Sequence, residues 1–232
     1  MIHLDELYAD PVEGEPGPAE RAILRSAIDL VGRRGYCATS VRQIAAAAGV
    51  TPPLIAYHFE SKEGLFRAAH AVVDAGVGTS LTRAVEATRS LDEMVRALTE
   101  AHLKFPQQHP AALRLLLTGA NGPEESQPEV DMSGSWASLL ESVENRIRNS
   151  IESGEFVPRE GMDSVQLTRH LFRLMHMAVF EVYETERCQP DKDIDPGFLG
   201  PVGDPVADIH DQFFLGAGRL TSPDHQRLEE AR

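Results

Sequence analysis

The 232-residue sequence predicts an all-α protein in two unequal helical parts. Three observations predict it. Apolar residues recur at spacings of three and four along almost every segment, and no run alternates apolar with polar residues as a half-buried strand would. Helix-start residues (Ser40, Thr51, Ser61, Ser90, Asp163) stand directly before the periodic runs. Charge divides the chain as well: residues 21–67 hold seven Lys/Arg against three Asp/Glu, while the whole chain carries −14. A basic module inside an acidic chain still attracts polyanions locally, because attraction decays over about 8–10 Å.

Residues 1–17 are acidic and contain Pro11, Gly14, Pro16 and Gly17, a composition expected to form a disordered tail. With no Lys or Arg, the tail lacks what a minor-groove arm inserts. The first helix starts at Pro18, sets Leu24, Ile28 and Val31 on one face, and ends at Gly35. Ser40 and Gln43 form a capping box that opens the second. The small run Ala45 to Ala48 admits another helix closely before Gly49 supplies a left-handed turn. Thr51 is expected to cap a third helix with Pro52 at its first position, where a missing N–H costs nothing, and Pro53 next. Leu54 and Ile55 anchor that helix and leave Tyr57, His58 and its N-terminus outward. Ser61 caps a fourth helix, with Lys62 in its first turn beside N–H groups suited to a phosphate. Two short helices turning at Gly49, the second with a polar, aromatic outer face, predict a helix-turn-helix of the kind that enters the major groove N-terminus first.

The run Gly35-Tyr36, Thr39-Ser-Val-Arg-Gln-Ile-Ala45, Ala48-Gly-Val-Thr51, Tyr57-His-Phe59 and Ser61-Lys-Glu-Gly-Leu-Phe66 carries a resemblance. Residues 21–67 resemble the N-terminal domain of the tetracycline-repressor (TetR) family of bacterial transcriptional regulators. The resemblance implies an 18–67 DNA-binding domain followed by a 68–232 helical domain for effector binding and dimerisation. It implies a cytoplasmic homodimeric repressor, released from a palindromic double-stranded operator by a small apolar effector. The DNA-binding candidates are Ser40, Arg42, Thr51, Pro52, Pro53, Tyr57, His58 and Lys62. Arg42 is the candidate for base or phosphate contact, Thr51, Tyr57 and Lys62 for phosphate register, and Pro52, Pro53 and Ala56 for thymine methyls. Many members carry Gly and Tyr where this chain has Pro53 and Ala56, so base contacts by a Tyr there do not carry over; Tyr57 is the substitute.

Further helices are expected from Ser90-Leu-Asp-Glu93 to Gln108 and from Pro110 through Leu113, Leu116 and Leu117 to a stop at Gly122-Pro123. Another carries Trp136, Leu139, Leu140, Val143 and Ile147 to about Gly154. Asp163 with Gln166 opens one reaching Glu186, and after a connection over Pro190 to Pro205 the last carries Val206, Ile209, Phe213, Ala217 and Leu220. Gly76 and Gly78 either bend or end the segment that joins the domains, or serve close packing. The 163–186 helix has two apolar stripes, Leu167, Leu171, Leu174, Ala178 and Val182 on one and Phe172, Met175, Val179 and Tyr183 on the other. Such a helix is covered either by its own core or by a second subunit. The dimer candidates are Leu167, Leu171, Leu174, Ala178, Val182, Ile209, Phe213 and Ala217, as the resemblance pairs the last two helices with their symmetry mates. His176, between Phe172 and Phe180, lines either a pocket or that seam. The effector candidates are His102, Phe105, Trp136, Phe172, Arg173, Met175, His176 and Phe180.

Enzyme chemistry finds no support: Gly-x-Ser-x-Gly, His-Glu-x-x-His and a phosphate-cradling Gly-rich loop are all missing. His170 and His176, six apart, fall on different sides of one helix, so no metal and no cofactor is expected. Two cysteines, Cys37 and Cys188, suit a reducing cytoplasm, as buried or incidental thiols or as a redox sensor. Neither a secretory signal nor a membrane span is read from the sequence. The rival readings are a DNA-binding regulator without an effector, and an all-α enzyme or carrier whose helix-turn-helix is incidental.

Overall fold

The computed structural model describes residues 17–121, 128, 133–187 and 204–221. The elements are α1 (Pro18–Arg34), α2 (Val41–Ala48), α3 (Pro52–Phe59), α4 (Lys62–Glu86), α5 (Leu91–Gln108), α6 (Pro110–Asn121) and α7 (Ser133–Glu152). They continue with β1 (Phe156–Pro158), α8 (Ser164–Arg187), α9 (Pro205–Ala217) and β2 (Gly218–Leu220). The acidic tail before Gly17, the Gly122-Pro123 stop, Cys188 and most of the Pro190 to Pro205 connection lie outside the described residues.

Helix starts follow their capping residues. Ser40 Oγ accepts from Gln43 N at 3.3 Å while Gln43 Oε1 accepts from Ser40 N at 2.8 Å. Ser61 Oγ accepts from Gly64 N at 2.9 Å, and Ser90–Glu93 and Asp163–Gln166 close reciprocal boxes. Thr51 departs from the expectation: it stands at the N-cap in extended conformation, but its side chain caps nothing. Pro52 and Pro53 remove the first two donors of α3, and the third, Leu54 N, goes to the Thr51 carbonyl at 3.0 Å. Gly49 ends α2 at φ 68°, ψ 29°, the left-handed geometry that a Cβ disfavours.

Among the described residues the chain forms two compact units, one within 17–80 and 105–136 and the other within 81–104 and 137–221, so the divisions fall inside α4, α5 and α7. The reason lies in α1. Beyond α2 and α3 it packs on α6 so closely that a Cβ on Gly32 would stand 2.1 Å from the Ala111 carbonyl oxygen. Arg114 Nε donates to the Gly32 carbonyl at 2.8 Å across the same contact. Ile23, Leu24, Ala27, Ile28 and Val31 of α1, Ile44 and Ala45 of α2, Ile55 and Phe59 of α3, and Leu65, Phe66 and Ala69 of α4 are buried. In α6 it is Leu113 and Leu115 that are buried, with Leu116 and Leu117 half-buried. Helix α4 does not end at Gly76 or Gly78; it runs through both, and Gly78 is buried.

In the second unit α8 packs on α9, and β1 pairs antiparallel with β2, Phe156 opposite Leu220. These strands were not expected, and Leu220 belongs to β2 instead of the last helix. A three-residue strand is too short to display alternation. Leu139, Val143 and Ile147 of α7 are fully buried, as are Leu91, Met94, Val95 and Leu98 of α5. Buried His210 ties α9 to α5. Its Nε2 lies 2.6 Å from Asp92 Oδ1, and its Nδ1 lies 3.3 Å from Arg96 Nη2. That bond to His210 holds the Asp92 carboxyl below the usual carboxylate range.

Candidate nucleic-acid interface

Helix α3 is eight residues long and shows two faces. Ile55 and Phe59, one turn apart, are buried, which fixes the helix against α1 and α2. Leu54 is half-buried, while Pro52, Pro53, Ala56 and His58 are exposed and Tyr57 is 80% exposed, a large aromatic left open among the described residues. The His58 ring stands edge-on to Tyr57 at 5.2 Å, and its Nδ1 lies 3.9 Å from Glu20 Oε2 in the first turn of α1. Ser40, Arg42 and Thr51 are also exposed, so seven of the eight sequence candidates lie on the surface of the same short segment.

Lys62 is the eighth and behaves otherwise. Its Nζ donates to the Tyr36 carbonyl at 2.6 Å and sits 4.1 Å over the Tyr36 ring, leaving the side chain half-buried. Tyr36 in turn packs edge-on against buried Phe66 at 5.0 Å, and burial raises its phenol pKa. Lys62 therefore fastens the start of α4 to the turn after α1. Tyr36 and Thr39 carry positioning roles that the sequence reading did not assign: Thr39 is buried, and its Oγ1 donates to the Gly35 carbonyl at 2.9 Å. The Gly35-Tyr36 pair and the lysine at the start of the fourth helix were the visible signals, but no local rule links positions 26 residues apart.

The effector candidates do not form one group. In the second unit His102, Phe172 and His176 meet: the two imidazoles stand 5.3 Å apart edge-to-face, and the Phe172 ring lies 6.2 Å from His176. His176 Nδ1 is 2.6 Å from the Phe172 carbonyl oxygen, and the residue is exposed. Burial, then the nearby His176, pushes the His102 pKa down to about 3. Met175 is fully buried and Arg173 exposed; nothing is described of the Phe180 side chain. Phe105 and Trp136 belong to the first unit, where Phe105 neighbours His109 at 5.6 Å and Trp136 Nε1 donates to buried Asp74 at 2.7 Å.

The dimer candidates divide by their burial within one chain. Leu167, Leu171, Ile209, Phe213 and Ala217 are at most 4% exposed within a single chain, because α8 and α9 cover one another. Leu174 and Ala178 are half-buried, and Val182 lies outside the described side chains. Among the described residues, the exposed large apolar side chains of these helices are Val165 at 38%, Met177 at 60% and Leu215 at 79%.

A short helix anchored by two buried residues behind a left-handed glycine turn, with its N-terminal face open, defines a helix-turn-helix protein. Residues 23–69 match the family described as bacterial regulatory proteins, tetR family. A 77-residue stretch is 43% identical to an HTH-type transcriptional repressor of Mycobacterium tuberculosis, covering 33% of this chain and 39% of that protein's length. Two solved structures share the fold. A TetR family transcriptional regulator, PfmR from Thermus thermophilus, is 21% identical over 85% of this chain and 99% of its own, with TM-score 0.58. The transcriptional regulator FadR from Bacillus subtilis, solved in complex with stearoyl-CoA, is 16% identical over 83% and 96%, with TM-score 0.62. Residues 23–69 are thus similar to the tetR-family domain, and the solved neighbours show the same fold over most of the chain.

Proposed function

We propose that the protein is a sequence-specific transcriptional repressor, held on a palindromic operator as a homodimer and released by a small, largely apolar effector. The observation that carries DNA binding is the open face of α3, where Tyr57 is 80% exposed beside Pro52, Pro53, Ala56 and His58 while Ile55 and Phe59 fix the helix from behind. Arg42 flanks that face, exposed and without an ion pair among the described residues. One helix-turn-helix makes few contacts, so two-fold doubling on half-sites about one helical turn apart is the working geometry.

Self-association is assigned to the exposed apolar side chains of Met177 on α8 and Leu215 on α9, with half-buried Leu174 and Ala178 near Met177 on α8. The effector is assigned to the surroundings of His102, Phe172 and His176, an apolar site with a few polar groups. The acyl ligand of the Bacillus subtilis regulator supports an apolar effector class. Release requires that the effector favour a conformation whose paired recognition helices fit the operator poorly, and coupling of about 1–3 kcal/mol is the usual scale. No catalytic role is assigned, and the place of action is the cytoplasm. Among the described residues no helix is long and apolar enough to cross a membrane.

The test is footprinting of DNA upstream of the protein's own gene, with wild type and an Arg42→Ala, Tyr57→Ala double variant. Both side chains are exposed, so the variant keeps its fold and loses about 1–3 kcal/mol of binding per contact. An unchanged footprint would refute the assignment.

A further inference from the structure

We propose that the cleft lined by α1, the end of α2 and the start of α6 is a binding site for a small organic phosphate monoester. It is a different place from the one given to the effector above: the residues around it belong to the first unit, whereas His102, Phe172 and His176 belong to the second. The cleft has a volume of about 750 Å³, which falls in the range of roughly 300–1,000 Å³ usual for small-molecule sites.

Its wall is cationic although the whole chain carries −14. Arg25 and Arg33 of α1 and Arg114 of α6 line it with one carboxylate, Asp29, which leaves a balance of +2. A phosphate monoester carries about −1.5 to −2 near pH 7 and neutralises that balance, where a monocarboxylate leaves about half of it. Guanidinium is also the group whose planar fork pairs bidentately with phosphate oxygens. Two of the three guanidinium groups are held before any ligand arrives: Arg33 Nε lies 2.7 Å from Asp29 Oδ1, and Arg114 Nε donates to the Gly32 carbonyl at 2.8 Å. Anchored side chains lose less freedom on binding, and a guanidinium has several N–H donors, so an anchoring bond does not exhaust it. Buried His109, at the start of α6, adds a ring nitrogen to the same wall. Leu30, Ala47 and Pro110 supply an apolar part, which suits the carbon group of an ester better than a bare anion.

Phenyl phosphate is the probe, with phenol as its uncharged counterpart and inorganic phosphate as the bare anion. Calorimetric titration of the full-length protein at low salt should show phenyl phosphate binding at least about tenfold tighter than either, with the largest backbone amide shifts at Ser26, Ala47 and Ala112. An Arg25→Gln, Arg33→Gln double variant should bind it at least about tenfold more weakly and melt within about 2 °C of wild type, because both side chains are exposed. Ala47→Phe, which adds bulk to the wall and removes no charge, should weaken binding as well. A DNA duplex of about 40 bp should not displace the probe. Equal affinity for phenyl phosphate and inorganic phosphate means an adventitious ion only and overturns the proposal. Amide shifts centred elsewhere, or unchanged affinity in both variants, overturn it too. Displacement of the probe by the duplex does the same, since the arginines would then serve the nucleic-acid backbone.

Discussion

The α2–α3 pair and the α8–α9 pair are built by the same local rules, yet burial means different things in them. In α2–α3 the anchoring apolar side chains are few, and Ile44, Ala45, Ile55 and Phe59 are all taken into the core, so what remains exposed is polar, aromatic, or the small apolar surface of alanine and proline. In α8–α9 Leu167, Leu171, Met175, Ile209, Phe213 and Ala217 fill the chain's own interior, and Met177 and Leu215 are still left exposed. The apolar total of a helix says how much it buries. Only the surplus left after its own core is filled says where a partner goes.

The largest expected effect tests that distinction inside α9. Phe213 is fully buried, its ring 6.5 Å from Phe156 and nearly parallel to it, with Phe214 edge-on at 5.1 Å. Phe213→Ala should cost about 3–5 kcal/mol in urea denaturation. Two residues on, Leu215→Ala should change the stability of the chain by less than about 0.5 kcal/mol and weaken self-association in sedimentation experiments. Equal losses for the two variants would erase the difference between core and surplus.

A smaller effect belongs to the second unit, whose α5 buries His102. Burial pushes His102 down to about 3 from an ordinary value near 6.5. Between those values the unfolded chain binds a proton that the folded chain refuses. Stability from this site is therefore complete above about pH 6.5 and falls with pH by up to about 1.4 kcal/mol per unit down to about pH 3. Melting curves at pH 7.5 and 5 should show a steeper loss for wild type than for His102→Gln, which does not titrate. Parallel slopes for wild type and His102→Gln would mean that the imidazole has water or a proton acceptor within reach.

What was legible in the sequence was local. Capping boxes at Ser40, Ser90 and Asp163, the glycine turn at Gly49 and the buried positions of α1 depend on residues within about one turn, and each stands where the spacing puts it. Arrangements spanning many residues were not legible. The Lys62–Tyr36 contact bridges 26 positions, the His210–Asp92 bond 118, and the β1–β2 ladder joins two three-residue runs with no period to read. The burial of Leu167, Leu171, Ile209, Phe213 and Ala217 within one chain was illegible for the same reason: spacing establishes that a stripe is covered, and only the tertiary fold says by what.

The smallest prediction sharpens the comparison within the helix-turn-helix itself, where two N-cap residues of the same polar type do different things. Ser40 accepts the Gln43 N–H and receives the Gln43 side chain on its own N–H, so Ser40→Ala removes one acceptor and leaves a helix-end donor to water. The expected cost is about 1 kcal/mol in chemical denaturation. Thr51 makes no such bond, because the prolines after it have no N–H to give and Leu54 N is held by the Thr51 carbonyl, which an alanine retains. Thr51→Ala should therefore leave stability unchanged within about 0.5 kcal/mol. Its hydroxyl is exposed at the N-terminus of α3 and unused by the cap, so any loss this variant shows should appear in DNA binding instead. A stability loss at Thr51 as large as at Ser40 would mean that the hydroxyl caps α3 after all, and would remove Thr51 from the DNA face.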